Sequence, residues 1–218
     1  MNFDKFYKTS FRKYYAISFA AIFLGLFIEL TWEFWEKDHA LRLIDLYVLH
    51  FFESIRINAI NGPAIDITAI GSSTTSIILS IIVLSVLLLA RDKLRLTHYL
   101  AALLGSAFWT VVIKHLFGRS RPTEISQLIN VTGFSYPSGH TLISASIYLT
   151  LVFFGFRFFT SLRSRIVLLL LASLLIGLIG LSRIYLGVHY PSDVLAGACF
   201  GTGWALMLQA FFSTKYNN

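Results

Sequence analysis

The sequence predicts an all-α protein, a bundle of six transmembrane helices with an interfacial amphipathic helix between the first and second spans. The 218 residues are 56% apolar, with a mean hydropathy of +0.71. Only 13% are charged, about half the share that is usual in soluble domains. The apolar residues form long runs, and at ~20 residues per crossing the chain has room for about six spans. Such runs are too long and continuous for barrel strands, so helices are expected.

The elements follow one another along the chain without a separate soluble domain. The first apolar run has no signal-peptide cleavage site, so we expect an uncleaved span. Residues 39–61 form an apolar stretch that is interrupted at helical intervals by Arg42, Asp45, His50, Glu53 and Arg56, which is typical of a helix in the membrane interface, and Pro63 is expected to end it. One membrane-embedded domain should cover residues 1–218. The six predicted spans are about 14–35, 65–90, 97–117, 139–159, 165–186 and 191–213.

The composition also disfavours several kinds of partner. The net charge is +7, which in a soluble protein would suggest nucleic acid. Here most cations lie in short loops between apolar runs, where membrane topology requires them, so no nucleic-acid partner is expected. The single cysteine, Cys199, excludes an intramolecular disulfide and a multi-cysteine metal site. No cofactor and no metal are predicted.

Charged residues within or beside spans are costly, at roughly 2.5–3.5 kcal/mol in mid-membrane, so three clusters of ionisable residues suggest a function. The first is Lys114, followed after six residues by Arg121-Pro122. On a continuous helix this spacing is about two turns and puts both cations on one face. A break at Gly118 would leave that geometry open. The alternative is a pair of cations snorkelling at a span end.

The second cluster, Pro137-Ser138-Gly139-His140, directly precedes the fourth predicted span. Ser138 is a candidate helix N-cap, and the amides and dipole of a helix start bind phosphate well. Gly139 would let an anion approach the backbone closely, and His140 would lie beside it in the first turn. The alternative is a capped helix start with an incidental histidine.

The third cluster is Ser182-Arg183, followed after five residues by His189 and after three more by Asp193. A carboxylate four residues after a histidine can orient the imidazole, as the acid does in catalytic triads. Pro191 begins the sixth predicted span, which places Asp193 in its first turn. The alternative is an interfacial histidine with an acid at a helix start.

Six alternating spans place all three clusters on one side of the membrane. Cations, histidines, a carboxylate and a helix N-terminus then predict an anion site with a nucleophile, an orienting acid and a proton donor. The clusters also resemble the signature of the type-2 phosphatidic acid phosphatase superfamily, which is K-x6-R-P, P-S-G-H and S-R-x5-H-x3-D. All eleven fixed positions match, over residues 114–193. The six-span layout extends the resemblance to nearly the whole chain.

The resemblance implies a role for each matching residue. His189 would be the nucleophile, Asp193 its orienting acid, and His140 the group that protonates the leaving oxygen and then activates water. The phosphate-binding residues would be Lys114, Arg121, Ser138, Gly139 and Arg183. These roles agree with phosphoryl transfer, which mainly needs positioning and compensation of charge.

The activity implied by the resemblance is that of a metal-independent lipid phosphate phosphatase acting through a phosphohistidine. Its substrate would be phosphatidylglycerol phosphate, phosphatidic acid or undecaprenyl diphosphate. A lipid-to-lipid phosphotransferase stays open, because pocket shape chooses the acceptor. The spans disfavour a vanadium haloperoxidase. A nucleophile together with its orienting acid disfavours a non-catalytic lipid-binding or transport protein.

Loop cations predict the orientation in the membrane. Eleven Lys and Arg fall on the side of the termini and seven on the side of the clusters, of which three belong to the motifs. Cytoplasmic loops carry the excess of Lys and Arg. Both termini are therefore expected in the cytoplasm, in the inner or plasma membrane, with the active site facing the periplasm or exterior. A lipid phosphate would enter from the outer leaflet, among membrane lipids. The oligomeric state is not fixed by the sequence.

Overall fold

The computed structural model describes residues 3–213 and 215, with side chains from residue 13 onward. Over that range it contains eight α-helices and no strand, which confirms the all-α class. The helices are α1 (Phe3–Trp35), α2 (His39–Ser54), α3 (Asn58–Ile70), α4 (Ser73–Leu89), α5 (Lys93–Phe117), α6 (Gly139–Gly155), α7 (Leu162–Tyr185) and α8 (Pro191–Ser213). Parts of the sequence predictions lie outside the described residues. These are the ends of the predicted domain, residues 1, 2, 214 and 216–218, and the side chains of the loop cations Lys5, Lys8 and Arg12.

Four helices are long and apolar enough to cross a membrane. They are α1 from Lys13 onward, α5, α7 and α8, each of 23 to 25 residues. Their outward faces carry large apolar side chains such as Ile28, Leu104 and Leu170, each more than 60% exposed. Extended apolar surfaces of this kind suit lipid rather than water. The protein is therefore a multi-pass membrane protein.

The second predicted span, about 65–90, is not one straight helix. It is divided into α3 and α4, which bend by 43° at Gly71-Ser72. The break packs against α7, since a Cβ on Gly71 would lie 2.5 Å from Ile179 Cγ2. Ser72 then begins a new helix by accepting a hydrogen bond from the Thr75 amide. Together α3 and α4 are apolar enough for one bent span.

The segment predicted as one interfacial helix, residues 39–61, is also divided. α2 ends two residues before Arg56, whose guanidinium donates to Tyr185 O at 2.7 and 3.0 Å and to Ser126 O at 2.8 Å. These bonds hold the turn against the bundle. The expectation that Pro63 ends the segment is wrong, because Pro63 lies inside α3. It follows the first turn, where its missing N–H removes one backbone bond and the helix continues.

α6 lies at the centre of the bundle, in contact with α5, α7 and α8. Its start packs closely onto α8 because two glycines of α8 face it. A Cβ on Gly197 would lie 2.6 Å from Ser138 O, and one on Gly201 would lie 2.2 Å from Leu142 O. Small residues four apart permit such close helix crossings in membranes.

The number of spans is only partly fixed by helix length. By length and composition, the described helices give four candidate spans, or five when α3 and α4 count as one. The remaining predicted span, 139–159, corresponds to α6, which is apolar but has only 17 residues. The six-span count therefore stays a prediction.

Candidate active site

A cavity of about 430 Å³ lies at the end of the bundle where the α5–α6 and α7–α8 loops meet. Six of the eight residues predicted from the sequence line it. They are Lys114, Arg121, Gly139, His140, Arg183 and His189. The other two, Ser138 and Asp193, are fully buried behind its wall. The structure thus brings the three sequence clusters together, while the role of each residue stays a prediction.

The turn between α7 and α8 positions His189 against the neighbouring loop. Gly187 adopts a φ of 75°, in the left-handed region that favours glycine. A Cβ there would also lie 2.7 Å from Ser126 O. The Leu128 amide donates to Leu186 O at 3.0 Å, which joins the two loops directly. Backbone contacts therefore fix the position of the turn.

His189 is held at both ring nitrogens. Nδ1 lies 3.3 Å from Asp193 Oδ2, and Nε2 lies 3.2 Å from an Arg121 nitrogen. Arginine can only donate, so Nε2 carries the lone pair and Nδ1 the proton. Burial lowers the pKa of His189 below its ordinary 6.5, although Asp193 opposes this shift. At pH 7 the imidazole is therefore neutral, with its nucleophilic lone pair on Nε2.

Two of the cavity cations are anchored by backbone carbonyls. α5 ends at Phe117, and Gly118 caps it in the left-handed conformation, so Arg121 lies in the loop rather than on the helix. Lys114 Nζ donates to two carbonyl oxygens at 2.5 and 3.2 Å. The acceptors of Lys114 are Phe134 and Ser135, and those of Arg121, at 2.8–3.1 Å, are Thr132, Gly133 and Val188. These acceptors are neutral, so both cations keep their charge available to an anion.

The third cation, Arg183, is 2% exposed and has an unsatisfied donor. One terminal nitrogen donates to Thr68 Oγ1 at 2.9 Å. Its Nε–H is buried and has no acceptor among the described residues. An unmade hydrogen bond of a buried charged group is costly, so this N–H indicates a place for a ligand oxygen. Sequence reasoning missed Thr68, whose only signal is a hydroxyl in an apolar run.

The start of α6 only partly follows the predicted capping. Ser138 occupies the N-cap position, but its hydroxyl lies 3.0 Å from Thr141 Oγ1 and caps no backbone amide. The Ser138 amide donates to Asp193 O at 2.9 Å, which ties α6 to α8. Gly139 packs against α5, where a Cβ would lie 3.0 Å from the nearest side-chain atom. His140 lines the cavity without a hydrogen bond to the described residues, so its ring nitrogens are available to a ligand.

Two further residues, Arg119 and Asp45, join the group behind His189. Arg119 donates to Asp193 Oδ1 at 2.6 Å and to Asp45 Oδ2 at 2.7 Å. Sequence reasoning missed both, because Arg119 counts there as a loop cation and Asp45 as part of the polar face of the interfacial helix. The available signal was the position of Asp45 four residues before Leu49, on the buried side of α2.

These features together define a class of protein. No group of three or more His, Cys, Asp or Glu that could hold a metal ion occurs in the described part of the chain. The cavity combines three cations with a neutral, oriented imidazole and a second histidine. The molecule is thus a helical multi-pass membrane protein with a cavity that three cations and two histidines line.

The comparisons with known proteins agree with this class. The PAP2 superfamily matches residues 95–216, which is more than half of the chain. The chain belongs to the PAP2 superfamily.

Two curated relatives and one solved structure illustrate the similarity. Phosphatidylglycerophosphatase B of Bacillus subtilis is 32% identical over 101 residues, 46% of this chain and 49% of that protein. Lipid A 1-phosphatase of Rhizobium etli is 31% identical over 108 residues, 45% of this chain and 42% of that protein. The chain thus spans about half the length of the curated relatives it matches. A crystal structure of a transmembrane PAP2-type phosphatidylglycerolphosphate phosphatase from Bacillus subtilis has a TM-score of 0.77 at 25% identity, covering 90% of this chain and 94% of that one.

Proposed function

We propose that the protein is a membrane lipid phosphate phosphatase that forms a phosphohistidine at His189. The observation that carries the proposal is the cavity, where the neutral His189 imidazole lies among three cations and the unpaired Nε–H of Arg183. Phosphoryl transfer mainly needs positioned groups and compensation of charge. The names of the relatives above describe phosphatases of phosphorylated lipids, which supports the same substrate class here.

In the proposed reaction, His189 Nε2 attacks phosphorus while the bond from phosphorus to the leaving oxygen breaks. His140 gives its proton to that oxygen. A water molecule then attacks the phosphohistidine, His140 accepts a proton from the water, and the P–N bond breaks to release phosphate. Lys114, Arg121 and Arg183 offset the charge of the phosphoryl oxygens, so the reaction requires no metal ion. When substrate binds, Arg121 exchanges its contact with Nε2 for a phosphoryl oxygen.

The test is phosphate release by purified protein in detergent from a panel of lipid mono- and diphosphates. The panel contains phosphatidylglycerol phosphate, phosphatidic acid and undecaprenyl diphosphate. The matched control for His189→Ala is His115→Ala, because His115 is exposed, lies outside the cavity, and has its ring against Val111 O of its own helix and against Phe134. We expect activity in the wild type and in the control. Phosphate that passes to a second lipid rather than to water would identify a phosphotransferase.

We also propose that the chain is one domain of six spans, with cytoplasmic termini and the cavity on the outer side. The loop cations support this orientation, as eleven lie on the side of the termini and seven on the cavity side. Trp32 and Trp35 are exposed at the cavity-side end of α1, where tryptophan usually marks the membrane interface. α6 has 17 residues and spans only about 25 Å, which is short for a membrane crossing. We therefore expect its neighbours to shield it from lipid where it crosses.

Cysteine labelling tests this orientation. Single cysteines replace Ser126, which is exposed on the cavity side, and Thr160, which is exposed at the opposite end of the bundle, in a Cys199→Ser background. In intact spheroplasts, an impermeant maleimide should label position 126 and spare position 160. The reverse pattern would overturn the proposed topology.

A further inference from the structure

A chain of buried charges runs from α2 to the back of the nucleophile. Asp193 is fully buried and receives three hydrogen bonds, from His189, from the Tyr190 amide at 2.9 Å, and from Arg119 at 2.6 Å. The bond from Arg119 reaches Oδ1, while the other two reach Oδ2. The carboxylate therefore has one oxygen for the nucleophile and one for the guanidinium.

Asp45 closes the other end of this chain. It is 1% exposed and is the one buried charged residue of α2. Oδ1 accepts from the Ser192 amide at 2.9 Å, and Oδ2 accepts from the Ser192 hydroxyl at 2.6 Å and from Arg119 at 2.7 Å. Ser192 is the residue before Asp193. Asp45 therefore binds both the Arg119 guanidinium, which contacts Asp193, and the backbone directly before Asp193. A carboxylate with so little exposed surface persists in its charged form only when it is paired.

Arg119 is held so that it can bridge the two carboxylates. Its guanidinium lies between the rings of Phe34 and Tyr190, at 4.7 and 4.1 Å from their centroids. One terminal nitrogen serves Asp193 and the Ser192 hydroxyl, and the other serves Asp45. The guanidinium suits this position because its donors are fixed in one plane on separate nitrogens, whereas the three donors of a lysine ammonium rotate about a single compact charge.

We infer that Asp45 and Arg119 are positioning residues for the reaction, which hold Asp193 ionised and turned so that Oδ2 faces His189 Nδ1. The alignment of the nucleophile then depends on α2, the helix predicted to lie at the membrane surface. This inference rests on the proposed function, since it assigns a role within the same reaction. Neither residue lines the cavity around His189, so their loss should impair chemistry rather than substrate binding.

The first test is the effect of Asp45→Asn on the steady-state kinetics of lipid phosphate hydrolysis. Loss of a residue that orients a metal ligand through a hydrogen bond typically costs about 10–100-fold in activity, and we expect the same scale for a residue that orients Asp193. We expect kcat to fall by that amount. KM should change by less than about twofold, because the substitution removes no contact that binds the substrate in its ground state. Asp66→Asn is the matched control, since it makes the same charge change at an exposed position of α3. It should leave both constants at the wild-type values.

The second test separates positioning from general stability. If Asp45 acts through Arg119, adding Asp45→Asn to Arg119→Lys should lower kcat no further than the larger single loss. If Asp45 only anchors α2, the two fold-losses should multiply. Should Arg119→Lys not fold, Ser192→Ala replaces it, because it removes a hydroxyl that contacts both Asp45 and Arg119. That variant should show a smaller kcat loss in the same direction.

The outcomes distinguish this inference from the proposed function. An active wild type with an unchanged kcat in folded Asp45→Asn would overturn the inference alone. A loss confined to KM, or losses that multiply in the double variant, would overturn it equally. A wild type that releases no phosphate from any lipid of the panel would instead refute the proposed function, and the inference with it.

Discussion

The close crossing of α6 and α8 gives the sharpest prediction, which concerns Gly197. A Cβ at this position would lie 2.6 Å from Ser138 O and 3.3 Å from the Leu142 amide nitrogen. Both are backbone atoms, so no side chain can rotate away to make room. Ordinary contact begins at 3.4 Å, so Gly197→Ala must separate the two helices by about 0.8 Å.

This displacement acts directly on the candidate active site. Ser138 lies two residues before His140, and its amide donates to Asp193 O, one turn before Gly197. Separating the helices therefore moves His140 away from His189 and Asp193 and strains that hydrogen bond. A misplacement near 1 Å can cost about 10²-fold in rate, and overpacking typically costs about 1–3 kcal/mol of stability. We expect Gly197→Ala to lower kcat by about 10²-fold and to lower the melting temperature in detergent.

The assay compares phosphate release and thermal unfolding of Gly197→Ala with those of Gly177→Ala. Gly177 lies on α7, and a Cβ there would meet nothing within 4 Å, so the control makes the same substitution without a clash. We expect the control to keep the activity and stability of the wild type. A Gly197→Ala variant with wild-type kcat and melting temperature would refute the packing argument.

His189→Ala should abolish phosphate release and radiolabel trapping in a protein that still folds, and Asp193→Asn should lower kcat by about 10⁴-fold through lost imidazole orientation. Full activity in either would contradict the mechanism. Turnover should survive strong chelators and be inhibited by orthovanadate, and a chelator effect reversed by a divalent ion would count against this. Because burial lowers the pKa of His189 below 6.5, the neutral nucleophile should persist as pH falls through 6.5. The plot of kcat/KM against pH should be bell-shaped. After correction for the titration of the substrate phosphate, its fall on the acid side should have a midpoint below pH 6.5. Thr68→Val should raise KM about tenfold by removing the charge-assisted bond that holds Arg183, and an unchanged KM would show that Thr68 does not position the cation.

The helical class and the meeting of the three clusters were predictable because their signals are local. Hydropathy and motif spacing are properties of short stretches of sequence. Because successive spans cross the membrane in alternating directions, the ends that carry the three clusters come to lie on one side. The break at Gly71 was missed, although residues 71–76 read Gly-Ser-Ser-Thr-Thr-Ser, where a glycine can end one helix and a serine can cap the next. What the local pattern does not contain is the packing at the break, where the side chain of Ile179 lies in the place that a Cβ would occupy. Contacts over such sequence distances leave no trace in a single run.

The same limit applies to the group behind His189. Arg119 is 74 residues from each of its carboxylate partners, Asp45 and Asp193. Nothing in the local pattern of any of the three indicates the other two. Ser138 shows a subtler failure, because its position as N-cap was predictable and the direction of its hydroxyl was not. The hydroxyl pairs with Thr141 because both are buried where α6 meets α8, and a buried hydroxyl needs a partner.

The arrangement of charge around His189 explains how one small site meets two opposite needs. Substrate binding needs positive potential, and none of the ion pairs among the described residues involves Lys114, Arg121 or Arg183. Their recorded partners are neutral oxygens and the His189 ring, so their charge is not cancelled before phosphate arrives. In the proposed reaction the His189 ring becomes cationic as it attacks, and the Asp193 carboxylate supplies a negative partner from behind. Arg119 and Asp45 complete that rear group with one cation between two carboxylates. The positive face and the negative support are thus separated by the imidazole, which can serve both because its two nitrogens point in different directions.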